Sequence, residues 1–435
     1  MEPEALAHRI VSKLRSEGHQ AFLVGGCVRD LLLGRTPKDF DIATDARPER
    51  IMQFFPRSGQ VGAHFGVVLV REEDAQVEVA TFRSDREYSD GRRPSAVHFE
   101  TDPRQDVLRR DFTINGLLMD PAAGEVLDFV NGRNDLANRL VRAIGDPEAR
   151  FEEDHLRLLR AVRFAARLGF EIEDRTFAAI RRCAARITRV SAERVRDELV
   201  RILTEGGAAH GFRLLDETGL LAVILPEVAA MKGVEQPPQY HPEGDVWTHT
   251  LLLLENLRHP TPTLALGALL HDVGKPSTFR VAERIRFDGH VEAGVVLAQA
   301  ILTRLRFSRE ETERVIALVA NHMKFKDVHC MKESTLKRFL RLPEFDEHLE
   351  LHRLDCQASN RNLENYQFVR QRLAESSPER LRPPRLLTGA DLIAAGYHPG
   401  PEFSEMLTSA EDAQLEGVVH TTEEALSLVR EKFPR

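Results

Sequence analysis

The strongest constraint on the fold is a glycine-rich and acidic stretch close to the amino end. Residues 22–45 read Phe-Leu-Val-Gly-Gly-Cys-Val-Arg-Asp-Leu-Leu-Leu-Gly-Arg-Thr-Pro-Lys-Asp-Phe-Asp-Ile-Ala-Thr-Asp, and we predict a strand over residues 39–43. Asp39 and Asp41 are two positions apart, and such positions point to the same face of a strand. Because Mg²⁺ is commonly held by one or two carboxylates together with substrate phosphates, this pair beside a Gly-Gly turn and Arg29 predicts a site for metal and phosphate. The alternative is a solvated strand edge that carries two acids.

Residues further along the chain extend the predicted site. Glu78 stands between two valines, where it either completes the metal site from a neighbouring strand or lies exposed on an edge strand. Arg110 follows another arginine, and guanidinium forks match the oxygens of a triphosphate. Asp111 and Asn115 are four positions apart, which places them on one face if the segment is helical. Since paired metal ions can clamp both oxygens of an in-line displacement, the set predicts nucleotidyl transfer.

A second motif predicts a surface that reads a nucleotide base. Asp154, Arg157 and Arg160 are spaced by three, so on one α-helix they form a nearly continuous stripe. A solvated ion pair on a helix has the same spacing and is the alternative. A carboxylate only accepts hydrogen bonds and a guanidinium only donates them, so Asp154 beside Arg157 matches the donor and neighbouring acceptor of cytosine or adenine. Guanine and uracil present the reverse order, and unpaired polar groups discriminate strongly against such a mismatch.

Composition bounds the location and the partners of the chain. Its 435 residues are 42% hydrophobic and 29% charged, and no apolar run approaches the roughly 20 residues that a membrane span needs. The first residues lack the layout of a signal peptide, and four scattered cysteines indicate reduced thiols, so we expect a cytoplasmic protein without membrane contact. The net charge of −8 argues against nucleic acid, but residues 141–203 hold 14 Arg, no Lys and 11 acids. Arginine without lysine suits local, geometric phosphate contacts.

The pattern along the chain predicts an α+β protein of four parts. Alternating, β-rich segments with turn signals favour a head with a mixed sheet, and helical periodicity dominates the remainder. Two proline-rich segments read as linkers. We expect, in order, a head over 1–138, a helical neck and body over 139–233, a linker over 234–242, a second helical domain over 243–373, a linker over 376–384 and a helical tail over 386–435.

Five motifs occur in an order that is found in one known family. They are Gly25-Gly26-x-Val28-Arg29-Asp30, Asp39-x-Asp41, Arg109-Arg110-Asp111-Phe112-Thr113-x-Asn115, Glu153-Asp154-x-x-Arg157 and Glu193-Arg194-x-x-x-Glu198. Together they resemble the class II tRNA nucleotidyltransferases, which comprise the CCA-adding enzymes and the related bacterial poly(A) polymerases. The resemblance is strong over residues 22–225 and implies a head like that of polymerase β. One departure is Gly116, where alanine or serine is more usual.

The resemblance implies a role for each motif. Asp39 and Asp41 would bind Mg²⁺ and activate the 3′-hydroxyl of the primer, which is the acceptor end of tRNA. The residues that contact the incoming CTP or ATP would include Gly26, Arg29, Arg110, Asp111 and Asn115. Asp154 and Arg157 would act as a protein template for the base, with Arg160 and Arg163 nearby.

A histidine-rich set in the second helical domain predicts another metal centre. His249, the adjacent His271-Asp272 and Asp355 combine imidazole and carboxylate groups, which together suit transition metals. A single buried histidine is usually structural, but this set resembles the H…HD…D pattern of HD domains. His290 and His322 match the additional ligands of dinuclear versions. The resemblance implies a second divalent metal and hydrolysis of phosphate monoesters or 2′,3′-cyclic phosphates.

The leading prediction is therefore CCA addition to the tRNA 3′ end. An A-adding enzyme that works with a separate CC-adding partner is one alternative. Residues 83–94 are polar and charged, as suits the mobile lever that resets such sites from C to A, and their presence argues against CC-only activity. A poly(A) polymerase is a second alternative, although residues 410–435 are not strongly basic. The third is an HD phosphohydrolase whose head only binds RNA.

Overall fold

Strands and helices alternate through the first third of the chain, and helices dominate the remainder. The computed structural model describes residues 2–60, 66–88 and 94–434. It divides into unit 1, Met1–Pro226, and unit 2, Glu227–Arg435. Unit 1 carries a mixed sheet and unit 2 is mostly helical, which confirms the predicted α+β class. The finer division into four parts stays a prediction. In the described part of the chain, no helix is both long enough and apolar enough to cross a bilayer.

The sheet of unit 1 contains one parallel pair of strands. The strands of this unit are β1 Ala21–Val24, β2 Asp41–Thr44, β3 Ser58–Gln60, β4 Val67–Glu72, β5 Ala75–Thr81, β6 Arg83–Tyr88, β7 Pro94–Phe99, β8 Leu117–Met119, β9 Val126–Asp128, β10 Leu140–Val141 and β11 Glu171–Ile172. Seven of them form one sheet in the order β3-β4-β5-β2-β1-β8-β9. β2 runs parallel to β5, and the other neighbours in this sheet are antiparallel. The expected lever over 83–94 coincides with the β6–β7 ribbon, but residues 89–93 at its centre lie outside the described residues.

Amphipathic helices cover the sheet and build the neck of unit 1. The helices are α1 Pro3–Ser16, α2 Gly26–Leu32, α3 Pro48–Phe54, α4 Pro103–Leu108, α5 Gly132–Ala137, α6 Pro147–Glu153, α7 Arg157–Leu168, α8 Asp174–Cys183, α9 Ala192–Thr204, α10 Ala208–Glu217 and α11 Leu220–Ile224. In α1, Leu6, Ile10 and Leu14 recur at helical spacing and are buried on the side that packs on β1 and β5. Most residues of α7 are buried because it packs against both α9 and α10.

Two glycines shape the region where the first strand and helix meet. Gly25 has φ +77, a left-handed conformation that favours glycine, and it turns β1 directly into α2. A Cβ atom at Gly116 would lie 2.9 Å from Cγ2 of Val130. The departure from the family pattern at this position therefore has a packing explanation, since Val130 occupies the space that a methyl group would need.

Unit 2 is a helical domain followed by a helical tail with its own small core. Its helices are α12 Pro226–Ala229, which begins at the unit boundary, α13 Val246–Asn256, α14 Pro262–Leu270, α15 Lys275–Thr278, α16 His290–Arg304, α17 Arg309–Asn321, α18 Glu333–Leu340, α19 Phe345–Ala358, α20 Glu364–Glu375, α21 Pro378–Leu381, α22 Gly389–Ala394, α23 Glu402–Glu416 and α24 Thr422–Lys432. β12 Arg280–Val281 and β13 Ile285–Arg286 form a short antiparallel ribbon. α14 is apolar on nearly all sides and is buried against α13, α17 and α19. Arg338 and Arg341 of α18 both pair with Glu411 of α23, which fastens the tail.

Both segments expected to be linkers are packed. In the first, over 234–242, Gln236 is buried and its Oε1 accepts a hydrogen bond from Nζ of Lys275 at 2.7 Å. In the second, over 376–384, Leu381 belongs to an apolar cluster that includes Phe339. Proline excludes regular helix and strand without excluding side-chain packing. The two segments are therefore not free connections, and their role as boundaries between parts stays a prediction.

Candidate functional sites

Asp41 on β2 stands opposite Glu78 on β5, and a third acid, Asp39, precedes β2 by two residues. The parallel register places Asp41 directly opposite Glu78 of β5. The predicted strand over 39–43 was wrong at its start, because β2 begins at Asp41 and Asp39 lies exposed in the preceding bend. Asp39 is nevertheless close enough to act on its neighbour: burial, then Glu78 and then Asp39 raise the pKa of Asp41 to about 6, against the lowering effect of Arg110. Such crowding of acids is relieved by a bound cation.

Arginines from the end of α4 lie beside these acids. Arg110 is close enough to lower the pKa of Asp41, and its Nη1 is 3.3 Å from the position that a Cβ atom of Gly25 would occupy. Asp106 is fully buried and accepts hydrogen bonds from both Arg109 and Arg110, at 2.6 and 2.8 Å. Sequence reasoning missed Asp106, although its spacing of three and four from the two arginines is the helical ion-pair spacing. Asp106 orients the arginine pair beside the acids.

Four of the predicted nucleotide-binding residues form one hydrogen-bonded chain. Nη1 of Arg29 donates to Oδ1 of Asn115 at 2.7 Å, and Nδ2 of Asn115 donates to Oδ1 of Asp111 at 3.1 Å. Nε of Arg160 donates to the other oxygen of Asp111 at 2.9 Å. Burial alone would raise the pKa of Asp111, but Arg160 and Asn115 hold it at about 2. Gly26 opens the helix that carries Arg29. This series of hydrogen bonds links α2, which follows the glycine turn, to α7.

The two residues of the predicted protein template are each held by another partner. Asp154 lies between α6 and α7 with extended backbone, and Nη2 of Arg194 donates to it at 2.9 Å. Arg157 begins α7 and donates to Oε2 of Glu153 at 2.6 Å. The predicted single-helix stripe was therefore wrong for Asp154, which precedes α7 and whose Oδ1 accepts a hydrogen bond from the backbone N–H of Leu156 in the turn before that helix. Arg160 does lie on α7, one turn after Arg157.

Arg163 is held inside the neck of unit 1. It is 4% exposed, and its Nε donates to Oε2 of Glu198 on α9 at 2.6 Å. Its guanidinium also lies 4.3 Å from the ring centroid of Phe164. In this structure Arg163 therefore braces α7 against α9, and a direct contact with nucleotide stays a prediction.

The six predicted metal ligands of unit 2 converge from five helices. They are His249 on α13, His271 and Asp272 at the end of α14, His290 at the start of α16, His322 at the end of α17 and Asp355 on α19. Nε2 of His271 is 3.0 Å from Asp272, and Nε2 of His249 is 3.1 Å from Asp355. The other carboxylate oxygen of Asp272 is 3.8 Å from Nε2 of both His290 and His322. Asp272 therefore lies between two ligand groups, each with ligand atoms within 4.8 Å of one another: His249 with His271 and Asp355, and His290 with His322.

The four imidazoles are oriented for metal binding. Nδ1 of His271, His290 and His322 bonds to a backbone carbonyl at 3.0, 2.9 and 2.7 Å. A carbonyl only accepts, so Nδ1 carries the proton and the lone pair of a neutral ring lies on Nε2. Nε2 of these three rings and of His249 is buried without a hydrogen-bond partner in the described part of the chain. Burial lowers the pKa of His322 to about 4, which keeps it neutral. Four buried Nε2 atoms around two carboxylates, with those of His249 and His271 next to Asp355 and Asp272, fit a pair of divalent transition metals.

Profiles of known protein families match three consecutive parts of the chain. The poly A polymerase head domain matches residues 21–142, and the probable RNA and SrmB-binding site of polymerase A matches residues 169–232. The HD domain matches residues 245–354, which leaves Asp355 one position beyond the matched span.

Similarity to one curated protein extends over nearly the whole chain. The CCA-adding enzyme of Bacillus cereus (strain 03BB102) is 30% identical over 430 residues, which cover 98% of both chains. The chain belongs to the CCA-adding enzyme family. The predicted family resemblance is thereby confirmed.

Other members of the CCA-adding family align over less of their length. The CCA-adding enzyme of Enterococcus faecalis is 45% identical over 58% of this chain and 62% of its own, and that of Geobacillus sp. (strain WCH70) is 44% identical over 50% and 54%. In these alignments the chain covers 54% and 62% of the relatives' own length. A crystal structure of the Bacillus stearothermophilus CCA-adding enzyme in complex with CTP matches with a TM-score of 0.77 and 27% identity, over 99% of this chain and 98% of that one.

This member of the CCA-adding family has further residues at the histidine site that sequence reasoning missed. Nζ of Lys275 lies 2.7 Å from Asp272, and the spacing of three between them was the available signal. Oε1 of Glu243 lies 2.7 Å from Nδ1 of His249 and 2.9 Å from Nδ1 of His241. Both His241 and Glu243 precede α13 at the end of the proline-rich segment, so the linker interpretation hid them.

Proposed function

We propose that this chain adds CCA to the 3′ end of tRNA, with CTP and ATP as substrates. The observation that carries the proposal is the register of Asp41 with Glu78 beside Asp39, in a member of the CCA-adding family. Three acids that crowd one another, next to Arg110, suit a divalent cation and a triphosphate together. The free cysteines, of which Cys27 and Cys183 are buried, support a location in the reducing cytoplasm.

The chemistry requires in-line attack at a phosphorus atom. The 3′-hydroxyl oxygen of tRNA bonds to the α-phosphorus of the triphosphate and its proton passes to water. The bond from the α-phosphorus to the oxygen that bridges to the β-phosphate breaks, and pyrophosphate leaves with that oxygen. Asp39 and Asp41 would hold Mg²⁺, which when bound supplies charge neutralisation for the attacking and leaving oxygens. Arg110 would orient the triphosphate, because a guanidinium fork matches phosphate oxygens. The series of hydrogen bonds that joins Arg29, Asn115, Asp111 and Arg160 would hold the loop that carries Asp111 and Asn115 in place.

Base selection is proposed to depend on an exchange of partners by two residues. With a base present, Asp154 would leave Arg194 and accept from the exocyclic amine of cytosine or adenine. Arg157 would leave Glu153 and donate to the neighbouring ring nitrogen or carbonyl. The present ion pairs support this proposal, since each group already lies beside a single partner of opposite charge that a base could replace.

Primer extension tests the proposal directly. Incubation of the full chain with Mg²⁺, CTP, ATP and tRNA that ends at the discriminator base should extend the tRNA by three nucleotides. If that tRNA receives nothing while tRNA that already ends in CC receives one A, the chain is an A-adding enzyme instead. Long A tracts on unstructured RNA would identify a poly(A) polymerase.

We propose phosphoester hydrolysis at the histidine site as a second function. The four orphaned Nε2 atoms around Asp272 and Asp355 carry this proposal. A water oxygen would bond to phosphorus, the bond from phosphorus to a ribose oxygen would break, and that oxygen would receive a proton. Bound divalent metals would polarise the phosphate and lower the pKa of the attacking water. Lys275 would neutralise charge on the phosphate.

Hydrolysis of 2′,3′-cyclic AMP and of nucleoside monophosphates in Mg²⁺, Mn²⁺ or Ni²⁺ tests the second function. Asp272→Asn should abolish hydrolysis, because Asp272 lies between both ligand groups. Equal hydrolysis by wild type and Asp272→Asn would contradict it.

A further inference from the structure

The last turn of α7 carries an arginine that reaches back to the helix after the glycine turn. Nη2 of Arg167 donates to Oδ2 of Asp30 on α2 at 3.2 Å. Asp30 is 5% exposed, and its other oxygen, Oδ1, accepts a hydrogen bond from Nε of Arg29 at 2.8 Å. Burial lowers the pKa of the Arg29 guanidinium, and Asp30 opposes this effect. The two arginines therefore share one buried carboxylate, which joins α2 directly to α7.

The contacts of α2 divide into apolar packing on the sheet and polar links to α7. The helix packs on β1 and β8. Toward α7, the guanidinium of Arg29 lies 5.3 Å from the ring centroid of Phe164, and Asp30 is bonded to Arg167. Oε2 of Glu205, after α9, lies 3.9 Å from Arg167, which is too far for a hydrogen bond. Among the described residues, Asp30 is thus the carboxylate to which Arg167 is hydrogen-bonded.

Two points along α7 fasten it to the part of unit 1 that carries the sheet. Arg160 bonds to Asp111 at 2.9 Å. Arg167 is seven residues further on in the same continuous helix, which is about 10 Å along its axis. A helix that is fastened at one point can pivot about it, whereas two points fix its direction. Because Arg157 lies at the other end of α7, the contact of Arg167 with α2 also determines where Arg157 lies.

A nucleotide has to reach both of the helices that this contact joins. Gly26 begins α2 beside the proposed triphosphate site, and Arg157 belongs to the proposed base template. We propose that Asp30 and Arg167 are positioning residues that set the distance between the triphosphate site and the template. A nucleoside triphosphate occupies both sites at once, and the affinity of such a ligand depends on how well the spacing of the sites matches its own. The inference rests on the nucleotidyl transfer proposed above.

Single-nucleotide addition by full-length Arg167→Gln tests this role. CTP is added to tRNA that ends at the discriminator base, and ATP is added to tRNA that ends in CC. We expect KM for CTP and for ATP to rise about tenfold each, because spacing affects both nucleotides alike, while kcat stays within about threefold of wild type. A defect that is only structural would lower the active fraction, and hence kcat, without a change in KM.

A conservative variant and a double variant check that the contact itself is responsible. Lysine keeps the charge and can still donate one hydrogen bond, so Arg167→Lys should bring KM back to within about threefold of wild type. In a background of Asp30→Asn the contact is already lost, so Arg167→Gln should change KM by less than about twofold there. A full tenfold effect of Arg167→Gln in that background would contradict the assigned partner.

A ligand that occupies one site alone separates spacing from damage to the phosphate site. Inorganic tripolyphosphate supplies the three phosphates without a base, so its binding does not depend on the distance to the template. Its inhibition constant against CTP should therefore stay within about twofold of wild type in Arg167→Gln. An inhibition constant that rises as much as KM for CTP would overturn the proposal, because the substitution would then act on the triphosphate site itself.

Arg182→Gln is the matched control for these measurements. Arg182 of α8 pairs with Glu148 of α6 at 2.7 Å, so its loss also removes a contact of arginine with carboxylate between two helices of unit 1. This pair does not reach α2, and KM should equal that of wild type. A rise of KM in Arg182→Gln as large as that in Arg167→Gln would overturn the proposal.

The outcomes separate the positioning role from the proposed function. Wild-type extension of tRNA together with unchanged KM values in Arg167→Gln would overturn the positioning role and leave nucleotidyl transfer intact. If the wild type extends no tRNA, the proposed function fails, and calorimetric titration with CTP and Mg²⁺ tests the spacing instead. Binding of CTP that is about tenfold weaker in Arg167→Gln, with unchanged binding of tripolyphosphate, supports the positioning role. Equal binding of CTP by both proteins, or none by the wild type, overturns it.

Discussion

Asp111 illustrates how a single buried charge joins two parts of unit 1. Its carboxylate accepts from Arg160 of α7, from Asn115 and from a backbone N–H, and its side chain is almost entirely buried. Burial opposes ionisation, but the guanidinium of Arg160 outweighs it, and the pKa falls from 3.8 to about 2. A buried ion pair of this kind is costly to break, because the remaining partner stays buried without its counter-charge.

The substitution Asp111→Asn should lower the free energy of unfolding by about 2 kcal/mol at pH 7, since each pKa unit corresponds to about 1.4 kcal/mol. A lowered folded-state pKa stabilises the fold above the unfolded value of 3.8, and this contribution is lost as the pH falls toward 2. The difference between variant and wild type should therefore be constant above about pH 5 and shrink below pH 4. Calorimetry from pH 3 to pH 8 measures it, with the exposed acid Asp74→Asn as control. A difference that does not change with pH would contradict the assignment.

Glu243 acts on the histidine site through the ring of His249. Its carboxylate holds Nδ1, which directs Nε2 toward the other ligands. Outer carboxylates of this kind are typically worth 10–100-fold in metal affinity. Glu243→Gln should therefore weaken Mn²⁺ binding by about that factor, measured by calorimetric titration in a background of Asp39→Ala and Asp41→Ala, which removes the site in the head. Glu235→Gln, at an exposed acid nearby, is the control. Unchanged affinity in Glu243→Gln would exclude this role.

At these positions the sequence predicted which functional groups come together better than it predicted the contacts that hold them. Asp39 and Asp41 are two positions apart and His271 and Asp272 are adjacent, so local spacing was sufficient to propose both pairs. Glu243 and Gln236 become part of a site only because a loop folds back onto α13 and α15. No local sequence pattern predicts that this loop packs on the helices, and its proline content favoured an unpacked linker instead.

At the scale of elements, the break between α6 and α7 determines where the proposed template lies. Asp154 is extended and Arg157 is the first residue of α7. On one continuous helix, the backbone would fix the distance between Asp154 and Arg157. Because the helix is broken between them, the carboxylate of Asp154 can turn independently of α7, which carries Arg157. Partner exchange is therefore a rotation of side chains about a helix boundary.

Loss of one template residue should relax the choice of base. In Asp154→Ala the acceptor for the exocyclic amine is gone, so incorporation of UTP and GTP relative to CTP should rise by about one to two orders of magnitude, within the range that an unpaired polar group controls. KM for CTP should change far less. Single-nucleotide addition to tRNA with each triphosphate measures both. Asp146→Asn, which alters a cap at the start of α6 and leaves Asp154 in place, is the matched control. Unchanged selectivity in Asp154→Ala would rule out the template.

Helices with a long periodic pattern were predicted well, whereas the residues at which elements begin and end were predicted poorly. The helices after residue 147 follow one another over a stretch long enough for the helical period to be unambiguous. The start of β2 and the α6–α7 break depend on hydrogen bonds to partners elsewhere, such as β5 and Arg194. These partners are far away in the sequence, so local patterns do not predict which residues pair.

At the scale of the whole molecule, two ligand sets of different chemistry lie in two separate units. The proposed ligands of unit 1 are carboxylates, whose oxygens Mg²⁺ prefers, and the proposed set of unit 2 is dominated by imidazole, as transition metals prefer. The candidate ligands of each site come entirely from its own unit. The two reactions should therefore be separable by substitution and by metal.

The double variant Asp39→Ala and Asp41→Ala should reduce nucleotide incorporation at least a thousandfold and leave hydrolysis within twofold of wild type. Asp272→Asn should do the reverse. Both activities are measured on the same preparations, so misfolding would appear as a joint loss. Incorporation that survives the double variant would support the alternative in which the head only binds RNA.

The pairing of β2 with β5 has a consequence for how such chains diverge. The opposition of Asp41 and Glu78 is fixed by hydrogen bonds between the two strands. The residues between them build α3, β3 and β4, and β4 pairs with β5 on its other side, so β5 is held from both sides. Insertions in the turns between these elements can accumulate without moving either acid, whereas a slip of one residue within the ladder would turn Glu78 to the opposite side of the sheet. Loop length can thus vary among descendants of such a chain while the two acids stay opposite each other.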